Sequence, residues 1–235
     1  MFPLLRKNLR KVVPTHAILP LCMTALSLLC SYQAAKLYQF LFGFTNATDL
    51  TTVFDLATPF LPGWVWVYLG SYFFWIYVYT TAARDSMETA CKLAAADMIG
   101  KLICLVFFLT FPTTNVRPEV NGTGLTPFLM KAVYTLDTPT NLFPSIHCFI
   151  AWLGARYIFT SRNLKKKRLH CAIALLGSLL VFASTLYTKQ HVIWDVFGAV
   201  IVAEIGIFLS HILPIPTMIT KWNRKFVTSS LCKFL

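Results

Sequence analysis

The chain has 235 residues, 57% of them hydrophobic and 13% charged, and a mean hydropathy of +0.64. A soluble domain carries about 25% charged residues, so this composition excludes a soluble globular domain and points to a membrane protein. The net charge of +12 would suggest nucleic acid in a soluble protein. Here the basic residues cluster between apolar runs, where they orient a membrane protein and attract anionic headgroups. No nucleic-acid partner is expected.

The predicted elements form one unit over 1–235. Arg6, Lys7, Arg10 and Lys11 precede an apolar run from about Ala17 to Tyr32, near the length of a bilayer core. No small-x-small site follows it, so it reads as an uncleaved first helix rather than a signal peptide, with Lys36 snorkelling beyond it. Residues 43–63 form a loop with Asp49 and Asp55 but no Lys or Arg. Trp64 to Ala83 is a second span, rich in Trp and Tyr as interfacial ends tend to be. Arg84 to Lys92 reads as a short charged loop, and a third span runs from about Ala95 to Phe111 with Asp97 and Lys101 near its start.

Residues 112–144 are the longest polar stretch. Thr126-Pro127 reads as an N-cap and first helical residue, opening a short interfacial helix over Phe128 to Leu136 with Lys131 on its solvated face. The fourth span runs from Ser145 to Thr160, the fifth from about Cys171 to Leu186, and the sixth from about Ile193 to Leu213, stopped by Pro214 and Pro216. Arg162, Lys165, Lys166, Lys167 and Arg168 lie between the fourth and fifth. A basic tail with Lys221, Arg224, Lys225 and Lys233 closes the chain. The fold class expected is therefore all-α, a polytopic membrane protein with six transmembrane helices. The loop 43–63 holds none of the 21 Lys and Arg, so the positive-inside rule places both termini in the cytoplasm.

This topology sends Arg117, His147 and His191 to the extracytoplasmic face and leaves His16, His170 and His211 on the other. His191 and Asp195 are four apart, which puts both on one face of a helix start. A carboxylate there can accept Nδ1–H, fix the tautomer and leave Nε2 as a nucleophile. His147 is a candidate general acid for a leaving oxygen. Arg117 presents a planar fork suited to phosphate, and Lys189, Ser145 and Ser184 are candidates for the remaining phosphate oxygens. Glu204 lies about 13 Å deeper than Asp195 at helical rise. It reads as a hydrogen-bonding partner of a neighbouring helix, compatible with a protonated carboxyl, rather than a member of the site. Ala199, Ala203 and Gly206 read as close-packing positions. The seven cysteines show no CxxC and suggest neither disulfides nor a zinc site. Asn46-Ala47-Thr48 and Asn121-Gly122-Thr123 are glycosylation sequons on the expected outer face.

Pro144-Ser145-Ile146-His147, Ser184-Thr185 followed by His191 and Asp195, and Arg117-Pro118 together resemble the three signatures of the type 2 phosphatidic acid phosphatase superfamily. The resemblance covers roughly residues 100–205 in motif terms. Thr110 and Thr185 stand where the family pattern has basic residues. The resemblance implies a six-helix membrane fold and a phosphohistidine on His191, with no metal and no other cofactor. The function it implies is a membrane lipid phosphatase acting on a phosphomonoester or pyrophosphate at the extracytoplasmic face. That face belongs to the plasma membrane in a bacterium and to a secretory membrane in a eukaryote. Sphingolipid synthases resemble the same superfamily, so a phospho-headgroup transferase of the inositol phosphorylceramide or sphingomyelin synthase type is the alternative, with a non-catalytic lipid-phosphate binder as a third.

Overall fold

A computed structural model describes residues 10, 12–43 and 47–229. Arg6, Lys7, Lys11, Asn46, Cys232 and Lys233 therefore lie outside the described residues. The helices are α1 (Thr15–Phe42), α2 (Val53–Ala57), α3 (Val65–Ala83), α4 (Met87–Thr110), α5 (Leu125–Leu136), α6 (Ile146–Thr160), α7 (Lys167–Tyr187), α8 (Ile193–Ile212) and α9 (Ile215–Thr228). A two-residue parallel bridge joins β1 (Thr48–Asp49) to β2 (Thr113–Thr114).

The chain is an all-α integral membrane protein, and α1, α4, α7 and α8 are long and apolar enough to cross a bilayer. The other two expected crossings are helical but differ in kind. The α3 helix has 19 residues, but Tyr, Trp, Ser and Thr lower its hydropathy. The α6 helix has only 15 residues, and ten of them are buried. It is wrapped by protein rather than by lipid. Its Phe149, Leu153 and Ile158 sit in one core with Val78 and Tyr79 of α3, Leu93 and Cys104 of α4, and Val196 and Val202 of α8. By contrast α1 buries a single stripe, Ala17, Pro20, Thr24, Ser31 and Ala35, at the spacing of one helix face.

Local chemistry moves several boundaries from where the sequence suggested them. Ser86 accepts the Thr89 N–H at 3.0 Å and so starts α4 inside the expected charged loop. The start of α5 is capped by Gly124, at φ 106, and not by Thr126; only glycine adopts that conformation cheaply. The Thr126 hydroxyl instead accepts from Trp66 Nε1 at 3.1 Å. The basic tail is largely α9, an amphipathic helix. It buries Pro216, Ile219 and Asn223 and turns Lys221, Arg224 and Lys225 outward.

Two ion pairs lie within the helical body. Glu204 receives Arg156 through two bonds of 2.6 and 3.1 Å and Trp152 Nε1 at 2.9 Å. It does bond a neighbouring helix, as the ion-pair partner of Arg156. Asp97 and Lys101 are almost fully buried and meet at 2.7 Å. Tyr79 and Ser27 donate to Asp97 at 2.6 and 2.9 Å, and Lys101 also reaches the Thr24 carbonyl at 2.8 Å. This network registers α1 against α3 and α4. Close packing completes the scaffold: a Cβ on Gly206 would stand 2.7 Å from the Ala96 carbonyl oxygen, and Ala199 and Ala203 are fully buried.

At the opposite end from the α6 start, Asp85 ties the α3–α4 turn to the α6–α7 connection. Burial would raise its pKa. Bonds from the Ser161 hydroxyl, the Asn163 N–H, the Thr89 hydroxyl and the Arg162 N–H outweigh that and hold it below the usual carboxylate value.

Removing one member of the buried pair should be far worse than removing both. Asp97→Ala is expected to lower stability by about 3–5 kcal/mol, read as a lower thermal unfolding midpoint in detergent. Asp97→Leu combined with Lys101→Met should recover most of that loss. Equal instability of the single and double variants would show that the stranded ammonium is not the cause.

Candidate active site

The site is built where α6 and α8 begin. Ser145 caps α6 by accepting the Cys148 N–H at 3.4 Å, and its own N–H donates to the Asp195 main-chain carbonyl at 3.1 Å. Asp195 lies in the first turn of α8, where its Oδ2 accepts the Val192 N–H at 3.0 Å. The same oxygen stands 3.0 Å from His191 Nδ1. Asp195 is fully buried and both histidines are nearly so. The His147 and His191 ring centroids are 6.1 Å apart, and both rings line one cavity of about 280 Å³.

The turn that presents His191 is held from several directions. The Gln190 and His191 N–H groups both donate to the Thr185 carbonyl, at 3.0 and 3.1 Å. Lys189 adopts φ 54, a left-handed conformation uncommon for a non-glycine residue. Its ammonium donates to the Asp55 and Thr58 carbonyls at 2.6 and 2.5 Å. Burial lowers the Lys189 pKa, opposed by the charge of Asp55. Asp55 in turn accepts the Ile193 N–H at 2.8 Å, so the loop carrying α2 fastens the start of α8. Ser184 spends its hydroxyl on the Val181 carbonyl at 2.7 Å. The structure thus brings His147, His191, Asp195 and Ser145 together. It commits Lys189 and Ser184 to protein carbonyls.

Arg117 arrives from the long connection. One guanidinium nitrogen donates to Gln190 Oε1 at 2.7 Å, the other to the Asp137 main-chain carbonyl, and the group stacks on Tyr134 at 4.8 Å. Burial pulls its pKa below the ordinary value, opposed by Asp137 and Tyr134. It stays charged. Burial also pushes the Tyr134 phenol up to about 12, and that hydroxyl donates to the Thr188 carbonyl at 2.8 Å.

Sequence reasoning read the Trp and Tyr of the second span as belt and packing, with the lining of a lipid entry as the alternative, and missed the amides. Tyr68 stacks on His147 at 4.5 Å, with Trp75 at 4.8 Å and Tyr72 edge-on at 5.7 Å. Gln190 is fully buried. Buried polar atoms nearly always find partners, yet Arg117 Nε, Gln190 Nε2, His147 Nε2 and Trp75 Nε1 have none. Of these residues, His147 and Trp75 also line the cavity. Tyr68 and Trp75 lie in the Trp- and Tyr-rich second span, but nothing in a single sequence picks those two rings out or marks Asp137. Gln190 adjoins His191, which is the one local hint. Among the described residues, no three His, Cys, Asp or Glu side chains gather as a metal site.

Residues 104–216 match the family model of the PAP2 superfamily. No curated protein and no solved structure matches the chain. The matched stretch runs from within α4 to the first turn of α9 and contains both site histidines and Asp195, so this part of the chain is similar to the PAP2 superfamily.

Proposed function

We propose that this membrane protein is a lipid phosphatase that works through a phosphohistidine on His191. The observation that carries the reading is the 3.0 Å contact from Asp195 to His191 Nδ1, with His147 on the wall of the same cavity. Asp195 holds the proton on Nδ1, so the Nε2 lone pair attacks phosphorus. Protonated His147 gives its proton to the leaving lipid oxygen, then takes one from the water that resolves the intermediate. Arg117, Gln190 and the backbone around Ser145 supply positive charge and donors for the phosphoryl oxygens. Lys189 and Ser184 support the turn instead of touching phosphate.

The lipid nature of the substrate is supported by the placement of this polar site in a body with four membrane-crossing helices. We infer six crossings, with the short α6 completed by its surrounding protein and both termini cytoplasmic. The basic residues 162–168 and α9 then fall at the end opposite the histidines. A second reading, passage of the same phospho group to an alcohol, is favoured by the carboxylate of Asp137 on the cavity wall.

Purified protein in detergent with EDTA should release the lipid alcohol from at least one member of a panel of phosphate-bearing lipids. His191→Ala should abolish release while leaving the unfolding midpoint unchanged. Equal release by the variant would remove the mechanism. Asp195→Asn presents the wrong hydrogen-bonding pattern to Nδ1 and should slow turnover on the order of 10³-fold or more. A loss under tenfold would mean that Asp195 serves only as a helix cap.

A further inference from the structure

The loop that fastens the start of α8 is apolar on its outer side. Helix α2 leaves Val53 82%, Phe54 55% and Leu56 77% exposed, while Asp55 is only 6% exposed. At helical spacing the three apolar side chains and Ala57 share one side of the turn, and Asp55 takes the other. Thr52 and Asp55 close a capping box, which holds the short helix in that orientation from within. Leu61, beyond α2, is exposed as well. No Lys or Arg occurs in 43–63.

Trp66 and Trp194 are each the second residue of a helix, α3 and α8, and both are about half exposed. Exposed tryptophan at the ends of crossing helices marks the level at which a bilayer meets water. The loop is fixed at that level. Asp55 accepts the Ile193 N–H at 2.8 Å, one residue before Trp194, and the Leu61 N–H donates to the Tyr187 carbonyl at 2.9 Å. Trp64 packs on the Tyr187 ring at 4.9 Å. The apolar side of α2 is thereby held next to the first turns of α8, whose Trp194 and Phe197 are exposed, on a helix long and apolar enough to cross the membrane. An uncharged apolar patch at this level favours lipid over water.

We propose that α2 seats Val53, Phe54 and Leu56 in the bilayer surface on the histidine side, and that this seating sets the height of His191 against the headgroup phosphates. The partner is the lipid leaflet itself. Removing the three side chains from water drives the seating. The inner side of the same loop carries the coupling. The Asp55 and Thr58 carbonyls hold the Lys189 ammonium, and the Asp55 carboxylate holds the Ile193 N–H. The loop therefore grips the chain on both sides of His191. The seating needs no catalytic step; only its consequence for turnover rests on the phosphohistidine reading.

The test places the full chain in phosphatidylcholine vesicles, with Phe54→Trp and Leu56→Trp made singly. The fluorescence each adds to that of the native protein should be quenched more by bromine on the lipid acyl chains than by acrylamide in the water. Stronger quenching from the water would overturn the seating. Protection from both quenchers would also overturn it, because the face would then be covered by protein, such as a second copy of the chain. For the coupling, Phe54→Ser combined with Leu56→Ser should lower turnover of a long-chain lipid phosphate in vesicles on the order of tenfold. The same variant should keep its unfolding midpoint and its rate on a short-chain lipid phosphate dissolved below its micellar concentration. An equal loss on both substrates, or no loss on either, would overturn the coupling. Undiminished turnover by His191→Ala would remove the phosphohistidine reading and leave the quenching result untouched.

Discussion

Asp195 makes three connections at once. Its carboxylate takes His191 Nδ1 and the Val192 N–H, both at 3.0 Å, and its main-chain carbonyl takes the Ser145 N–H at 3.1 Å. One fully buried residue therefore caps α8, orients the imidazole and locks the start of α6 to the start of α8. Charge-assisted bonds of this kind are roughly twice as strong as neutral ones. The distance between the histidines depends on this junction, because His147 is the second residue of α6 and His191 stands two before α8.

The rest of the body keeps that junction fixed in an environment that penalises every unpaired polar group. The deepest helix, α6, is short and surrounded by protein, so His147 needs no lipid-facing surface. The Asp97–Lys101 network aligns α1, and with it Leu28 and Tyr32, along the cavity. Arg156 and Glu204 pair in the half farther from the site. The loop 50–62 lies outside the helical core but reaches the site through Asp55, which satisfies an N–H at the start of α8. Structure and chemistry share the same few bonds here.

The helices and the His–Asp core were legible because both are local. Apolar runs mark helices, and a four-residue spacing at a helix start puts His191 beside Asp195. The remaining features depend on long-range placement. Gln190 meets Arg117 across 73 residues, and Asp55 reaches Ile193 across 138. Lys189 looked like a phosphate ligand because cations are scarce on that face. In the fold, two carbonyls take its ammonium. Thr126-Pro127 carries a good capping pattern, yet the conformation of Gly124 decides where α5 begins. The proline pair after α8 ended one helix as expected but also opened α9, since proline suits the first turn of a helix. The Asp137 carboxylate lies in an unremarkable polar stretch, and only tertiary packing shows its position beside His147.

The central claim is that His191 becomes covalently phosphorylated, and rapid quenching followed by mass mapping tests it most directly. Native protein mixed with a turned-over lipid and stopped in alkali should carry the phospho group on His191, in a form stable to base and lost in acid. His147→Ala should form the adduct more slowly and at the same residue. Turnover by the native protein with no adduct on any histidine, or with the adduct on His147, would contradict the account.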